Sequence, residues 1–397
     1  MNPLVTIIVL CYRNFRYVYQ TLDSIFAQDY PNIELIVSDD GSANFPEEKI
    51  RTYIEKNAGE NITSRRINHN AQNMGTVKHL NVAAKLAKGE YFMSVSADDA
   101  IDHPEVVSTY VRELSARPDA DILMAQTAMY DENMKKVLYY FVQPHIREIL
   151  LHHQDSNALF NELVQHPYLP SVSTFFRHAF FEKYGYFDEA YDLVEDWSLH
   201  LKIARQHIPI VYVDFVSIRH RSGGISHGNT AGTSNTYRRY LRDLQQTYDA
   251  EIAPYLSQVP AQIRNRVHHQ HRVDSAWIDW HVNEKEHGVR SLLRHLTRYW
   301  MVAIYKHLPD IRNRTRGKQW YPLLLGLLLG CIGGWLSSVL GESCWLLFGS
   351  DAVFYPCFAV FSFISTLLIV FGSIFLVLYY ISAFYIIIMD KYQIYIN

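Results

Sequence analysis

Two short apolar runs of the chain each end abruptly in a pair of aspartates, and this feature constrains the fold more than any other. Ile33–Val37 leads directly into SDDGS at 38–42, and Tyr91–Val95 leads into SADD at 96–99. Short apolar runs of this kind, rich in β-branched residues and closed by a polar turn, are typical of buried parallel strands. The sequence therefore predicts two strands whose carboxyl ends carry acidic side chains.

Segments with helical spacing alternate with these strands. Val5–Leu10 is a further apolar strand, a strand is expected near Arg65–Asn68, and helices are predicted at Arg16–Gln28, Glu47–Lys56 and Thr76–Ala87. Strands that alternate with helices predict βαβ units and a mostly parallel sheet. In such sheets ligands bind beyond the carboxyl ends of the strands, where both acidic pairs fall.

The middle of the chain is less regular. Tyr168–Arg177 and Ile210–Val213 are predicted as strands, and Asp196–Gln206 is predicted as a helix that opens with the pair Glu195-Asp196. The segment Ser222–Ser234 is rich in Gly, Ser and Thr, which indicates a loop near a site.

Two aspartate pairs at one sheet edge concentrate negative charge, and this repulsion costs stability unless a cation is bound. Carboxylates select hard divalent ions such as Mg²⁺ or Mn²⁺. Such an ion bridges diphosphate oxygens and offsets the charge of a leaving group. The alternative is that these aspartates only end strands, because Asp and Gly favour turns.

Five segments together resemble a known family. They are VTIIVLCYRN, ELIVSDDGS, NMGTVKHLNVAAKLAKGEYFMSVSADD, TFFRHAFFEKYGYFDE and VEDWSLHLKIA. In this order they are similar to the family 2 inverting glycosyltransferases with the GT-A fold, over about residues 4–225. The resemblance implies an α/β, Rossmann-like N-terminal domain with a mostly parallel sheet and a nucleotide-sugar donor.

The resemblance also implies roles for matching residues. Asp39 corresponds to the residue that contacts the nucleotide base, Asp98 to a contact on the ribose side, and Asp99 to the ligand of Mn²⁺ or Mg²⁺. Asp196, beside Glu195, occupies the place of the base that deprotonates the acceptor hydroxyl. A compatible alternative is that this pair only interacts with the dipole of its helix.

Further donor-site residues complete the prediction. The donor-binding candidates are Cys11, Tyr12, Asn73, Lys78, Arg219 and Arg221, and His220 is the candidate second metal ligand. The two arginines are candidates for contacts with the donor phosphates. The resemblance is incomplete at Ser96, where members often have an Asp.

The C-terminal part differs sharply in composition. Residues 260–320 carry 12 Lys or Arg against 5 Asp or Glu. Val289–Leu308 has the pattern of a basic amphipathic helix in the membrane interface, although such a helix can also pack on its own domain. Tyr321–Leu340 is 20 uncharged residues, which span about 30 Å as a helix. Val353–Met389 favours one long or tilted helix, with a tight hairpin as the alternative.

The resulting domain prediction has three parts. A GT-A domain at 1–230 is followed by a helical connector at 231–320 and by a membrane region of about two helices at 321–397. Basic residues before the first span and after the second favour cytoplasmic termini. The resemblance implies a location at the bacterial cytoplasmic membrane. A buried helical hairpin in a soluble protein is the alternative.

The expected location at the membrane also suggests which partners the protein binds. Membrane lipids and a lipid-linked saccharide acceptor are expected, as in the assembly of a surface polysaccharide. Two alternatives stay open, namely transfer directly to a polyprenyl phosphate and a non-catalytic membrane scaffold. The pattern is a poor one for nucleic-acid binding, because the basic residues adjoin the apolar tail.

Overall fold

The computed structural model describes residues 2–153, 155–222 and 235–278. In this part of the chain the strands are β1 (Val5–Cys11), β2 (Ile33–Asp39), β3 (Ile62–His69), β4 (Tyr91–Ser96), β5 (Ala100–Ile101), β6 (Ile122–Tyr130), β7 (Val137–Tyr140), β8 (Thr174–Arg177) and β9 (Ile210–Arg221). The α-helices are α1 (Val18–Phe26), α2 (Glu47–Asn57), α3 (Thr76–Leu86), α4 (Val106–Ser115), α5 (Pro144–Glu148), α6 (Ser156–Leu163), α7 (Ala179–Tyr184), α8 (Glu195–Arg205), α9 (Asn235–Thr247) and α10 (Ala261–Ile278).

All of these strands belong to one mixed sheet, with the order β3-β2-β1-β4-β8-β6-β9-β5, and β7 pairs with β6. The neighbours β3, β2, β1 and β4 are parallel. Strand β8 runs antiparallel to both β4 and β6, whereas β9 is parallel to β6. The α/β class is therefore confirmed, and the expected parallel arrangement holds for the first four strands and is interrupted by β8.

The register of the parallel strands brings their polar ends together. Cys11 is paired with Asp39, which in turn is paired with His69. On the other side of β1, Leu10 is paired with Ser96, so that β4 ends beside β1 and its following aspartates lie at the same edge. The sheet thus places both acidic pairs at the carboxyl ends of adjacent strands, where ligands bind in folds of this kind.

The sheet has an apolar core on each face. Successive side chains of β1 point to opposite faces, and Ile7, Ile8 and Val9 are all fully buried. Ile7 and Val9 pack with the apolar stripe of α1, while Ile8 packs with α3 and α8. Each such side chain stabilises the fold by about 1.5–3 kcal/mol through burial. The strand from which the site projects is therefore fixed from both sides.

The predicted helices and strands before Ser96 all occur, with ends that differ by a few residues. After Asp99 the observed helices and strands differ more from the predicted ones. The predicted strand Tyr168–Arg177 is confined to β8, and helix α7 follows it directly. Strand β9 extends eight residues past the predicted end at Val213.

The helices that follow the α/β part share its core. After α9 come a π-helical turn (Tyr248–Ile252), a 3₁₀ segment (Ala253–Gln258) and α10. Ile252, Leu256 and Val267 are buried in the same apolar cluster as Ile8. The helical character that was predicted from Asn235 onward is therefore present in the described part.

Among residues 2–153, 155–222 and 235–278, none of the helices combines the length and the apolar character needed to cross a bilayer. The predicted interfacial helix (Val289–Leu308) and the predicted spans (Tyr321–Leu340 and Val353–Met389) lie outside these residues.

Candidate active site

The first acidic pair is used to build the loops at the sheet edge. Asp39 is fully buried. Its Oδ2 accepts hydrogen bonds from the Ser42 backbone N–H (2.7 Å) and from His69 Nδ1 (2.8 Å), and its Oδ1 accepts one from Ser42 Oγ (2.7 Å). Asp39 therefore orients His69, which stacks on the ring of Phe45. The predicted contact of Asp39 with a nucleotide base stays a prediction.

Asp40 holds the loop that precedes α3. Its Oδ1 accepts hydrogen bonds from Asn70 Nδ2 and from the Met74 N–H, and its Oδ2 accepts one from the Gly75 N–H at 3.0 Å. Asn73 lies in this loop and is exposed. The loop thus presents Asn73 to solvent at the edge where a donor is expected.

The two aspartates of the second acidic pair differ in their surroundings. Asp99 is buried, and its two oxygens accept hydrogen bonds from the Arg221 N–H (3.0 Å) and from His220 Nδ1 (2.8 Å). Asp98, in contrast, is partly exposed. Burial, and then the charge of Asp99, raise the pKa of Asp98.

Neither arginine of β9 has an uncommitted guanidinium. The Arg221 side chain is buried, donates to the carbonyl oxygens of Asp98 and Glu132 and lies over the ring of Tyr17. Arg219 donates from Nε to Asp102 Oδ1 at 2.6 Å and also bonds the Asp102 carbonyl. The two arginines build the wall of the site, and their predicted contacts with donor phosphates stay predictions.

Cys11 and Tyr12 follow β1. The Cys11 side chain is 2% exposed, and burial, with the nearby charges of Asp39 and Asp98, raises the pKa of its thiol. Cys11 acts here as a small apolar residue whose carbonyl accepts from the Asp40 N–H at 3.0 Å. Because Asp39 and Asp98 both act on this thiol, the two acidic pairs lie close together. Tyr12 is half-buried.

Glu195 and Asp196 form the first turn of α8, as the sequence predicts. Asp196 is partly exposed, and its Oδ1 accepts the Trp197 N–H at 2.7 Å. Burial raises the pKa of Asp196 to about 6. Burial and then the charge of Asp196 raise the pKa of Glu195 to about 8. Glu195 Oε2 is buried and has no hydrogen-bond partner among the described residues.

The raised pKa values matter chemically, because a carboxylate with a pKa near neutrality accepts a proton more readily than one near 4. Two interacting acids titrate as a pair, and the apparent values belong to both. Near pH 7 the buried Glu195 retains its proton for much of the time, and Asp196 carries the charge. The partly exposed member of the pair is then available as a base.

Some sequence-predicted residues lie at the rim of this region. Lys78 is exposed on the first turn of α3, and its charge acts on Asp192 in the loop before α8. The Val77 N–H donates to the Asp192 carbonyl at 3.4 Å. Helix α3 thus connects the loop held by Asp40 to the loop that leads into α8.

The metal prediction has a partial structural basis. The residues that the structure describes include no group of three or more His, Cys, Asp or Glu side chains placed to hold a metal ion. Hard divalent ions bind oxygen ligands, and Mg²⁺ sites often use one or two carboxylates together with substrate phosphates. The single carboxylate of Asp98 fits such a site, whereas Asp99 and His220 bond each other.

Sequence reasoning missed His69, Asn70 and Glu132, whose bonds to the predicted residues shape the site. No motif singles them out, because each becomes relevant only through a partner tens of residues away in the chain. The fold and the site together form an α/β domain with its acidic edge at the carboxyl ends of parallel strands.

Comparison with known proteins gives the family. Residues 6–185 match the model of glycosyl transferase family 2. This match identifies a glycosyl transferase family 2 domain within the chain, and the similarity supports a nucleotide-sugar-dependent glycosyltransferase.

Two relatives match over different shares of their length. An uncharacterized glycosyltransferase of Rickettsia typhi is 28% identical over 269 residues, which cover 67% of this chain and 77% of that protein. Glycosyltransferase GlyG of Streptococcus pneumoniae is 26% identical over 140 residues, or 35% of this chain and 44% of that protein.

Solved structures are more distant. The mannosyltransferase PcManGT of Pyrobaculum calidifontis, in complex with GDP-Man and Mn²⁺, is 17% identical with a TM-score of 0.47, and the match covers 78% of this chain and 81% of that one. TarS of S. aureus is 17% identical with a TM-score of 0.44, and the match covers 68% of this chain and 53% of that one.

Proposed function

We propose that the enzyme transfers a sugar to an acceptor hydroxyl in one displacement, with Asp196 as the base. The observation that carries the proposal is the pKa of Asp196, which burial of the carboxyl group raises to about 6 although the residue as a whole is partly exposed. Its Oδ1 is fixed by the Trp197 N–H. Oδ2 is then the atom that accepts the acceptor's proton as the hydroxyl oxygen attacks the anomeric carbon.

This chemistry inverts the anomeric configuration. The acceptor oxygen forms its bond to the anomeric carbon on the face opposite the bond that breaks to the donor diphosphate. The proton goes to Asp196, and the diphosphate leaves with the bonding electrons. Positioned bases of this kind contribute roughly 10²- to 10⁴-fold to the rate.

Glu195 supports this role through its own protonation. Its pKa of about 8 keeps this buried side chain largely neutral at pH 7. A neutral Glu195 leaves Asp196 as the charged member of the pair. Two adjacent buried charges would otherwise repel each other.

A divalent ion, Mn²⁺ or Mg²⁺, is the proposed cofactor, and Asp98 would hold it. When bound, such an ion offsets the negative charge that develops on the diphosphate leaving group. The hydrogen bonds of Asp99 to His220 and to the Arg221 N–H fix the loop from which Asp98 projects. The geometry thus favours Asp98 as ligand over the predicted Asp99, which supports Asp98 from behind.

The donor-binding residues proposed for this site are those at its rim, namely Tyr12, Asn73 and Lys78, together with the loops held by Asp39 and Asp40. The arginines of β9 contribute through the wall that they build. A nucleotide diphosphate would thus lie along the carboxyl ends of β1, β2 and β4.

The acceptor proposed is a lipid-linked saccharide at the bacterial cytoplasmic membrane, as in surface polysaccharide assembly. It is supported by the sequence of the C-terminal part, where the basic segment at 289–308 precedes uncharged stretches at 321–340 and 353–389. A basic amphipathic segment next to apolar stretches is typical of membrane attachment. Recovery of the full-length protein in the soluble fraction of lysed cells, with none in carbonate-washed membranes, would contradict this location.

Transfer directly to a polyprenyl phosphate is the competing function. A phosphate acceptor is already charged, so a base would matter little, and the raised pKa of Asp196 favours a hydroxyl acceptor instead.

The test uses the purified full-length protein and a panel of UDP-, GDP- and dTDP-sugars. Donor hydrolysis and transfer are measured with Mn²⁺, with Mg²⁺ and with EDTA. We expect release from one donor class, lost with EDTA, and loss of transfer in Asp196→Asn with donor affinity retained. The control Asp119→Asn changes an exposed carboxylate far from α8 in sequence. Full transfer activity in Asp196→Asn would contradict the base role.

A further inference from the structure

The loop that leads into α8 is held by a single carboxylate from α9. Oδ2 of Asp243 accepts hydrogen bonds from three consecutive backbone N–H groups, those of Asp192 (2.9 Å), Leu193 (2.6 Å) and Val194 (3.1 Å). Asp243 is 4% exposed. Successive N–H groups that converge on one anionic atom are a strong and specific arrangement.

This arrangement sits where α8 most needs support. Val194 is the residue that precedes the helix, and its side chain provides no cap. The first N–H groups of a helix lack partners within it, and side chains from elsewhere can fix the entry of the chain. By binding residues 192–194, Asp243 sets the backbone direction from which Glu195 and Asp196 follow. Its charge also adds to the rise in the pKa of Glu195, after burial and Asp196.

A second contact from α9 strengthens the hold. Arg239 Nε donates to Asp192 Oδ2 at 2.9 Å, and its guanidinium lies against Gly75 at the start of α3. Gly75 in turn donates its N–H to Asp40. Helix α9 therefore connects the loop of the proposed base to the loop held by the first acidic pair.

We propose that Asp243 is a positioning residue for catalysis, which acts through the loop at 192–194 to aim the carboxylate of Asp196 at the acceptor. The inference rests on the proposed role of Asp196 as the base. Helix α9 follows the segment that the family model matches. The proposal gives this helix the task of positioning the base.

A purely structural carboxylate would also weaken the protein when replaced, so loss of activity alone does not test the proposal. Energetic coupling between Asp243 and Asp196 does test it. A residue that acts on kcat through Asp196 loses this effect when Asp196 has been replaced. The experiment is therefore a double-mutant cycle of Asp243→Asn and Asp196→Asn in the full-length protein. Transfer is followed with a radiolabelled donor over long incubations, so that slow variants remain measurable.

We expect Asp243→Asn to lower kcat by about 100-fold, as misplacement of a reacting group by about 1 Å can do, with the donor KM changed less than about threefold. In the Asp196→Asn background the same change should lower kcat less than about threefold. If Asp243→Asn does not fold, Arg239→Gln, which removes the pairing with Asp192 and the contact of the guanidinium with Gly75, takes its place, and a smaller loss with the same coupling is expected.

Two controls separate positioning from stability. Asp249→Asn removes an exposed carboxylate in the π-helical turn that follows α9, where it accepts hydrogen bonds from Gln245, and it should leave kcat unchanged. Leu256→Ala removes a buried side chain of the same core, and it should lower the melting temperature without lowering kcat at temperatures where the protein is folded.

The outcomes distinguish the two proposals. If Asp196→Asn retains full transfer activity, the base role is wrong. If Asp196→Asn retains only slow, measurable transfer but Asp243→Asn lowers kcat equally in both backgrounds, only the positioning role is wrong. A matching loss of kcat in Leu256→Ala would likewise reduce Asp243 to a structural residue.

Discussion

Nδ1 of His220 lies 2.8 Å from Oδ2 of Asp99, and this pair joins β9 to the turn that follows β4. Because a carboxylate only accepts, Nδ1 carries the proton in this bond. Burial disfavours the charged imidazole, but the charge of Asp99 and this hydrogen bond outweigh burial and raise the pKa of His220. The two residues predicted as metal ligands are therefore bound to each other.

The first prediction separates Asp98 from Asp99. Asp98→Asn should weaken Mn²⁺ binding in the presence of the donor's nucleotide and lower kcat at least about 100-fold, because a bound metal supplies several kcal/mol of charge stabilisation. Asp99→Asn should mainly lower the melting temperature, because it weakens the bonds to His220 and to the Arg221 N–H. Calorimetric Mn²⁺ titrations with UDP and GDP measure the first effect. Equal loss of Mn²⁺ affinity in both variants, at equal stability, would restore Asp99 as a ligand.

The second prediction concerns the pH dependence of transfer. The base must be charged, so the rate should fall by about tenfold per pH unit below the apparent pKa of the Glu195–Asp196 pair. The pKa of about 6 for Asp196 places this acidic limb near pH 6. It is measured as kcat from pH 4.5 to 8 at saturating donor. In Asp196→Asn the limb should vanish, and an unchanged limb in that variant would assign it to another group.

The third prediction concerns stability and pH. The pKa of Glu195 is raised from 4.5 to about 8, so the folded protein binds this proton more tightly than the unfolded chain. Its contribution to the free energy of unfolding is fully present below pH 4.5 and is lost as the pH rises through 8, by up to about 1.4 kcal/mol per pH unit. The glutamine of Glu195→Gln is neutral at every pH. The stability of this variant relative to the native protein should therefore increase as the pH rises from 5 to 8.5.

Urea unfolding of both proteins at each pH measures this difference. The exposed Glu182 provides the control, because Glu182→Gln makes the same substitution at a carboxylate on the protein surface. A pH-independent difference between Glu195→Gln and the native protein would show that Glu195 ionises in the folded state as it does in the unfolded chain.

The sequence predicts the acidic sheet edge well, because residue type and strand period are both local signals. Strand β9 shows where this fails. Its predicted end at Val213 reflects the charged residues that follow, yet the strand continues to Arg221 because its backbone pairs with β6 as far as Tyr130. In this extension Arg219 also bonds Asp102, and His220 bonds Asp99. Those partners lie more than 100 residues away, and no local pattern contains them.

The sequence could not predict the different roles of the two aspartates in each pair, for a related reason. Asp98 and Asp99 are identical residues at adjacent positions, and only the direction of each side chain decides which is buried. The same holds for Asp243, whose three bonds go to residues some 50 positions earlier. Such contacts depend on how α9 packs, and helical spacing alone predicts only that α9 is a helix.

The last prediction concerns the turn between the first acidic pair and Ser42. Gly41 has φ +71°, and a Cβ there would lie 2.3 Å from the backbone carbon of Gln72. Gly185 has φ +84° and open space around it. Gly185 also has ψ 166°, and this backbone region, which is essentially restricted to glycine, costs another residue about 1–3 kcal/mol, so Gly185→Ala should lower the free energy of unfolding by about that amount. Gly41→Ala should lose clearly more, because the loop at 72–73 must also move.

Asp39 and Asp40 directly precede this turn. Movement of the turn and of the loop at 72–73 should therefore also displace residues of the site. Gly41→Ala is expected to raise the donor KM, whereas Gly185→Ala, which also replaces a glycine with positive φ, should leave it unchanged. Urea unfolding and donor titrations of the two variants provide the comparison. Equal losses of stability, with equal donor KM, would mean that the close approach of Gly41 to Gln72 is relieved without disturbing either aspartate.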